Sequence, residues 1–368
     1  MAGAVVLWIV LEWYGATSEV SWLFLLASWV FALLAVCALY AVWNRGLTLQ
    51  LSMRNSRPAA GSPAEDLPEH VLRRGPYPAP IFEGDALELA VGLDTKGGAR
   101  GPAWIAGEVA GSKLSSGTGV VPRQGWRHLE VLPDLLRGPV GATGWRISTS
   151  DPIGFFYRRK RWPDGEVAVV LPRFASLAGL RQSRQLEASV AAPRAGSGNQ
   201  VFGIREYRAG DSLRRIHWRS SARHGELVVR EYEPPGLQTL GIFIDSSPPS
   251  REVADQVARI AASETWDCIR DGGRVVLWAP GMKASEPPQG RDIWALLEWL
   301  ARYPGAAADD PAPAVSEAVM VSGSADQRLI DAVETARRRG ARVRAWVVGE
   351  TEVVVDAPVE RTGIEWPL

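Results

Sequence analysis

The chain has 368 residues, 46% of them hydrophobic and 22% charged, which is typical of a globular protein of two or three domains. Its 41 basic and 41 acidic residues give a formal net charge of zero, which excludes a global field that draws the whole protein to nucleic acid or to anionic lipid. The two cysteines, Cys37 and Cys268, argue against a disulfide framework, and the four histidines show no spacing typical of a zinc site.

An uncharged segment near the N-terminus predicts a transmembrane helix. Residues 20–43 carry no charge and exceed the roughly 20 residues that cross a hydrocarbon core. Trp22 lies at one end, and Tyr40 and Trp43 lie at the other, where amphipathic rings prefer to sit in a bilayer. The alternative is a buried core helix, which rarely has an uncharged run of this length.

A weaker apolar stretch, residues 2–14, precedes the span and is interrupted by Glu12. It is either the first arm of a tight helical hairpin that turns at residues 15–18 or an interfacial or extracytoplasmic stub. Orientation follows from charge, because basic residues mark the cytosolic side of a span. Glu12 and Glu19 stand before the span, and the arginines after it are Arg45, Arg54, Arg57, Arg73 and Arg74. We therefore expect the body of the protein to be cytosolic.

Residues 47–173 show no long helical period. Short runs in which leucine or valine alternates with other residues, separated by Gly, Pro and Ser clusters, predict a β-sandwich-like domain. The motif Asp151-Pro152-Ile153-Gly154 suits a type I turn, and Phe155, Phe156 and Tyr157 are expected to start the next strand. This domain is interpreted as a structural or interaction module.

From residue 240 the pattern changes to strands that alternate with helices. Strands are predicted at 240–244, 275–278, 318–321 and 343–348, with helices at 251–270, 293–303 and 327–339. Such alternation predicts a C-terminal α/β domain with a doubly wound, mostly parallel sheet. The predicted organisation is an anchor at 1–46, a β-sandwich-like domain at 47–173, a linker with a distinctive motif at 174–239, and the α/β domain at 240–368.

The motif between the domains predicts a strand, a short helix and a returning strand, and it is unusually rich in arginine. Two interpretations stay open: the arginines and His217 form an anion-binding pocket, or they pair internally with nearby acids. Nearly balanced local charge favours the second. The candidate site residues are Arg205, Glu206, Tyr207, Gly210, Asp211, Arg214, His217, Trp218, Arg223 and Arg230.

The segment from Gly203 to Arg223, with Arg205-Glu206-Tyr207, Gly210-Asp211 and Ile216-His217-Trp218, resembles the signature of the bacterial domain-of-unknown-function-58 family. The resemblance implies a von Willebrand factor A-like C-terminal domain and a MoxR-type AAA+ ATPase as partner. It also implies a location in the bacterial plasma membrane with a cytoplasmic body. The expected function is that of a membrane-tethered, non-enzymatic adaptor, with the ATPase and the lipid bilayer as partners.

A von Willebrand A domain that binds Mg²⁺ carries Asp-x-Ser-x-Ser after its first strand. Here Asp245 and Ser247 fit the first two positions, but Pro249 takes the third and Ser322-Gly323 stands where Asp-Gly is often found. Because a hard cation needs converging oxygens, we expect no cofactor, with a degenerate Mg²⁺ site as the weaker alternative. The other interpretation is that Asp245 caps a following turn or helix.

Two other functions compete with the adaptor. An enzyme would use His217, Asp211 and the arginines for hydrolysis or transfer on an anionic substrate, with His217 as general base and the arginines stabilising negative charge, although no nucleophile elbow or phosphate loop is visible. A nucleic-acid binder would place the arginines on phosphates, which the zero net charge and the accompanying acids argue against.

Overall fold

The chain divides into two units, Met1–Leu171 and Pro172–Leu368. The computed structural model describes residues 2–18, 20–180, 203–206, 221, 228–231, 239–285, 290–305, 307–351 and 354–367.

Two apolar helices form a hairpin at the N-terminus: α1 (Ala2–Ser18) packs against α2 (Ser21–Trp43), with the rings of Trp8 and Phe31 5.5 Å apart between centroids. Among the described residues, the helical segment Ser21–Gly46 alone is long and apolar enough to cross a membrane, and α1 is shorter. A short 3₁₀ turn, Asn44–Gly46, joins α2 to the first strand.

The predicted turn at residues 15–18 is wrong, because α1 continues to its end at Ser18. Thr17 donates its hydroxyl to the Trp13 carbonyl at 3.0 Å, a bond that keeps the last turn helical. Gly15 is buried where α1 meets Leu23 of α2. The glycine therefore serves close packing between the helices instead of a chain reversal.

The rest of the first unit is a β-rich domain built from two sheets. In chain order its elements are β1 (Leu47–Arg57), the short helices α3 (Pro63–Asp66) and α4 (Glu69–Leu72), β2 (Ile81–Phe82), β3 (Ala86–Thr95), β4 (Ala103–Val109), β5 (Ser112–Thr118), β6 (Trp126–Leu132), β7 (Gly138–Ser150), β8 (Tyr157–Arg161) and β9 (Gly165–Leu171). One sheet has the order β1-β3-β6. The other has the order β2-β9-β7-β4-β5, with β8 paired to β7.

Side chains from both sheets fill one hydrophobic core. Every strand pair of this domain is antiparallel except β2 with β9, which is parallel. Trp145 of β7 lies in this core with 1% exposure, and it faces Gly107 of β4. A Cβ at Gly107 would lie 2.2 Å from the Trp145 ring, so only glycine leaves room for the indole.

The second unit contains a two-stranded ladder and an α/β domain. Its elements are β10 (Gly203–Glu206), β11 (Val228–Glu231), β12 (Thr239–Ile244), α5 (Arg251–Arg270), β13 (Arg274–Trp278), α6 (Ile293–Ala301), β14 (Glu317–Ser322), α7 (Gln327–Arg338), β15 (Arg342–Val348) and β16 (Val359–Thr362). The helices and the first four strands of the α/β domain lie within two residues of their predicted bounds.

All five strands of the α/β sheet are parallel, in the order β13-β12-β14-β15-β16. The chain leaves β12 for β13 at one side and returns to β14 on the other, so the strand order reverses between β12 and β14. Ligand sites in such sheets lie at the carboxyl ends of the strands at this switch point. β16 escaped prediction because it has four half-exposed residues and no continuous apolar run.

Helix α5 carries buried polar side chains that hold the start of the second unit. Asp267, 2% exposed, accepts hydrogen bonds from the Ser176 hydroxyl at 2.8 Å and from the Leu177 N–H at 2.9 Å. Ser263 accepts one from the Ala175 N–H at 3.2 Å. The segment before residue 178 is therefore part of the α/β unit.

Candidate functional site

A buried carboxylate lies at the switch point of the parallel sheet. Asp245 follows the last residue of β12 and is fully inaccessible to solvent. The Tyr303 hydroxyl donates to its Oδ1 at 2.6 Å and lies 2.7 Å from its carbonyl oxygen. The Gly323 N–H donates to Oδ2 at 2.8 Å, and the Ser322 hydroxyl donates to the same oxygen at 3.3 Å. Asp245 therefore joins the ends of β12 and β14 to Tyr303, the second residue after α6.

The turn after β14 is shaped to reach this carboxylate. A Cβ on Gly323 would lie 2.1 Å from Val253 Cγ1 of α5, so glycine is required for the close approach of the turn to the helix. Thr351 donates its hydroxyl to the Gly323 carbonyl at 3.0 Å, and the Ser324 N–H donates to the Ser322 hydroxyl at 3.3 Å. These bonds orient the Gly323 N–H toward Asp245.

A second, more exposed polar group surrounds the buried one. Asp326 caps α7 by accepting the Arg328 N–H at 3.0 Å, and it also accepts the Ser246 hydroxyl at 3.0 Å. The Arg328 guanidinium donates to Ser246 Oγ at 3.3 Å and is 65% exposed. We call Ser246, Ser247, Asp326 and Arg328 the carboxyl rim, because all four lie at this end of the sheet.

Asp245 and Ser247, the two candidate metal ligands, differ in environment. Ser247 is exposed, whereas Asp245 is buried with both carboxylate oxygens engaged by protein donors. Of the alternative that Asp245 caps a following turn or helix, the helix part is wrong, because Ser250 caps α5 by accepting the Val253 N–H at 3.3 Å. Within the described ranges, no three His, Cys, Asp or Glu side chains are grouped as metal ligands.

A buried ion pair stiffens the same domain. The Arg344 guanidinium of β15 donates to both carboxylate oxygens of Glu264 on α5, at 2.7 Å for Oε2, and to Glu317 at 3.2 Å. Trp346 Nε1 donates to Glu264 at 2.9 Å. Burial acts to lower the pKa of Arg344, but the two glutamates outweigh it and raise that pKa, so the guanidinium stays charged.

The arginine-rich motif is only partly described. Its strands form the antiparallel ladder of β10 and β11, in which Arg205 is opposite Val229 and Arg230 is opposite Ile204. The two arginines therefore occupy neighbouring register positions. The other candidate residues lie outside the described part of the chain: Tyr207, Gly210, Asp211, Arg214, His217, Trp218 and Arg223.

Asp245 and Ser322-Gly323 are recognisable from the sequence, whereas Tyr303, which completes the site, is not. Tyr303 follows a helix 58 positions after Asp245, and no local pattern connects the two. Asp326 and Arg328 do carry a signal, because an aspartate directly before an amphipathic helix is typical of an N-cap.

Residues 203–348 match the model of a family described as "Protein of unknown function DUF58". This part of the chain belongs to the DUF58 family. The match covers β10, β11 and the α/β domain through β15, and it confirms the resemblance inferred from the motif. No curated protein matches the chain. The site around Asp245 therefore lies inside the DUF58 domain.

Proposed function

We propose that this DUF58 protein is a membrane-tethered, non-enzymatic adaptor that presents a cytosolic MoxR-type AAA+ ATPase at the bilayer. The observation that carries the proposal is the direct continuity of α2 with the body of the protein: only Asn44–Gly46 separate the span from β1. A partner bound to the body is thereby confined to the membrane plane. The β domain is taken as sandwich-like and the α/β domain as von Willebrand A-like.

Asp245 has the environment of a structural residue, which fits an adaptor. Its two carboxylate oxygens receive an N–H and two hydroxyl donors from three residues of its own domain, and it is sealed from solvent. A general base must reach a substrate proton at hydrogen-bond distance. The geometry instead suits a structural link that fixes the carboxyl rim as a rigid, polar surface for a protein partner.

Orientation is part of the proposal. Arginines follow the span while the acids Glu12 and Glu19 precede it, and the positive-inside rule then places the body in the cytosol with the bilayer as a permanent partner. An ATP-driven partner requires this side. Fusion of a reporter that is active only in the cytosol to the C-terminus checks it, and an inactive C-terminal fusion contradicts it.

The partner is tested by affinity isolation of the tagged full-length chain from membranes of the source organism, followed by mass spectrometry. The proposal expects a MoxR-type ATPase at an amount comparable with the bait. A variant lacking residues 2–43 should retain the ATPase in the soluble fraction. Recovery of no AAA+ ATPase, together with turnover of an anionic substrate that depends on His217, would favour the enzyme instead.

A further inference from the structure

Two loops of the β domain surround the end of the membrane span. Asn44, the residue after α2, donates its amide Nδ2–H to the carbonyls of Ser150 at 3.1 Å and Gly101 at 3.3 Å, and it accepts the Gly101 N–H at 3.0 Å. Arg100 donates to the Trp43 carbonyl and lies 5.6 Å from the centroid of the Trp43 ring. We call the two loops that make these contacts, around Arg100-Gly101 and at Ser150, the collar. The collar places Ser150 beside the end of α2.

The turn that follows Ser150 is tightly held and presents an apolar tip. Asp151, fully buried, accepts hydrogen bonds of 3.0–3.1 Å from the backbone N–H groups of residues 154–156. Phe155 and Phe156 therefore belong to this turn, and of the three residues expected to start the next strand, Tyr157 does begin β8. Ile153 lies at the tip with 54% of its surface exposed. An exposed isoleucine on a rigid turn beside a span suits the lipid interface.

Strand β8 continues from this turn as a strip of positive charge. It reads Tyr-Arg-Arg-Lys-Arg, and all five residues are exposed. Within the described part of the chain it pairs with β7 alone, and Arg146 of β7 is opposite Arg161. We call Arg146, Arg158, Arg159, Lys160 and Arg161 the basic strip.

The positive charges of the basic strip are not paired with acidic side chains of the described residues. Across the described ranges, none of its five cations forms an ion pair. Arg159 lies 5.1 Å from the Tyr157 ring and Lys160 lies 5.4 Å from the Trp162 ring, so both are held by aromatic groups. Asp164, an acid close in sequence, accepts the Gly144 N–H at 2.8 Å. The chain has no net charge overall, but positive charge is concentrated in the basic strip.

We propose that the basic strip and the Ile153 tip form a binding surface for anionic phospholipid headgroups of the leaflet in which α2 ends. This inference rests on the membrane-anchoring part of the proposed function. Two observations select this occupant: the strip begins at the collar, directly beside the end of the span, and its charge complements an anionic lipid surface.

Dimensions agree with this assignment. From Tyr157 to Arg161 the strand advances about 13 Å. The headgroup region adds about 5–8 Å beyond the hydrocarbon on each side, and the field of anionic lipids extends about a Debye length, 8–10 Å, further. Each cation near such a surface strengthens attachment roughly fivefold. The surface would hold the β domain against the leaflet and thereby fix the distance of the β domain from the bilayer.

The test is hydrogen exchange of the full-length chain in lipid nanodiscs. Nanodiscs of phosphatidylcholine alone are compared with nanodiscs that also contain phosphatidylglycerol. We expect amides of residues 152–161 to exchange at least about fivefold more slowly in the anionic nanodiscs. Inorganic phosphate added to neutral nanodiscs should give no such protection, which separates lipid headgroups from free phosphate as the ligand.

A matched pair of variants isolates the strip. Arg158→Gln with Arg161→Gln removes two exposed cations, and most of the protection in the anionic nanodiscs should be lost, because two cations together contribute roughly 25-fold to attachment. Lys113→Gln with Arg123→Gln removes the same charge from exposed positions elsewhere in the β domain and should change nothing. Equal exchange in both nanodiscs, or equal loss in both variants, overturns the inference. A chain that fails to stay in any nanodisc refutes the anchor itself, so the two failures are distinguishable.

Discussion

Asn44 and Gly101 exchange two hydrogen bonds, one in each direction between the Asn44 amide and the Gly101 backbone, at the junction of the span and the β domain. Asn44 is 3% exposed, so its amide is part of the domain interior although it directly follows an apolar helix. The connection between α2 and the β domain is therefore rigid, because the residue after α2 is hydrogen-bonded inside the domain.

Replacement of Asn44 with alanine should loosen this junction. The change leaves the Gly101 N–H and the carbonyls of Gly101 and Ser150 without their partner, at a cost of about 1–3 kcal/mol in local opening free energy. Amides of the two collar loops should then exchange roughly 5- to 150-fold faster. Asn55→Ala, at an exposed position of β1, is the control and should leave these rates unchanged.

Tyr303→Phe should destabilise the α/β domain. The loss of the hydroxyl removes a donor to the buried Asp245 carboxylate, and a hydrogen bond to a charged group contributes about 1.5–3 kcal/mol. Pulse proteolysis in urea measures the unfolding free energy of the domain. Tyr77→Phe is the comparison, because Tyr77 is 96% exposed and its hydroxyl faces solvent. An unchanged unfolding midpoint for Tyr303→Phe would mean that Asp245 does not depend on this donor.

The Arg344–Glu264 pair should behave as a coupled unit. Glu264→Ala leaves the largely buried Arg344 guanidinium with Glu317 as its remaining counterion among the described residues, and breaking a buried pair costs about 3–5 kcal/mol. The double variant Glu264→Leu with Arg344→Met should be less destabilised than the single change, because no buried charge remains. Glu298→Ala breaks the exposed Glu298–Arg302 pair and should cost less than about 1 kcal/mol. Additive losses in the double variant would disprove the coupling.

Cys268 should be a slow nucleophile. Burial, with contributions from Glu317, Asp271 and Glu264, raises the pKa of its thiol from the ordinary 9.0 to about 11. In a Cys37→Ala background, alkylation at pH 8 should be on the order of a hundredfold slower than in the urea-unfolded chain, and it should accelerate about tenfold per pH unit. Because the folded pKa is the higher one, this thiol's contribution to stability is present below pH 9 and is lost as pH rises toward 11. A folded rate equal to the unfolded rate would contradict the shift.

The α/β domain was the most predictable part of the fold. Continuous apolar strands and amphipathic helices such as α5 carry strong local signals, and the predicted helix at 251–270 matches the observed one. The hairpin turn was misplaced because Gly15 suits both a reversal and close helix packing, and local sequence does not separate the two. The edge strand β16 was missed because its partner β15 supplies the pairing that its own composition does not indicate.

The site was predictable in position but not in chemistry. Asp245 was expected at a strand end and lies there, but its partners Tyr303 and Gly323 are 58 and 78 positions away and meet it only through the sheet topology. The collar is a similar case, since Asn44 finds Ser150 across 106 positions. Long-range polar contacts of this kind leave no periodic trace in a single sequence.

The adaptor role is tested most directly by the affinity of a purified MoxR-type ATPase for the full-length chain in nanodiscs. We predict saturable binding that Ser247→Arg, on the carboxyl rim, weakens at least about tenfold, because an added charge at a partner surface must be desolvated. Ala314→Arg adds the same charge at an exposed position before β14, at the opposite end of the sheet, and should bind as the unmodified chain does. Absence of saturable binding by the unmodified chain would contradict the adaptor role, and equal binding by both variants would remove the carboxyl rim from it.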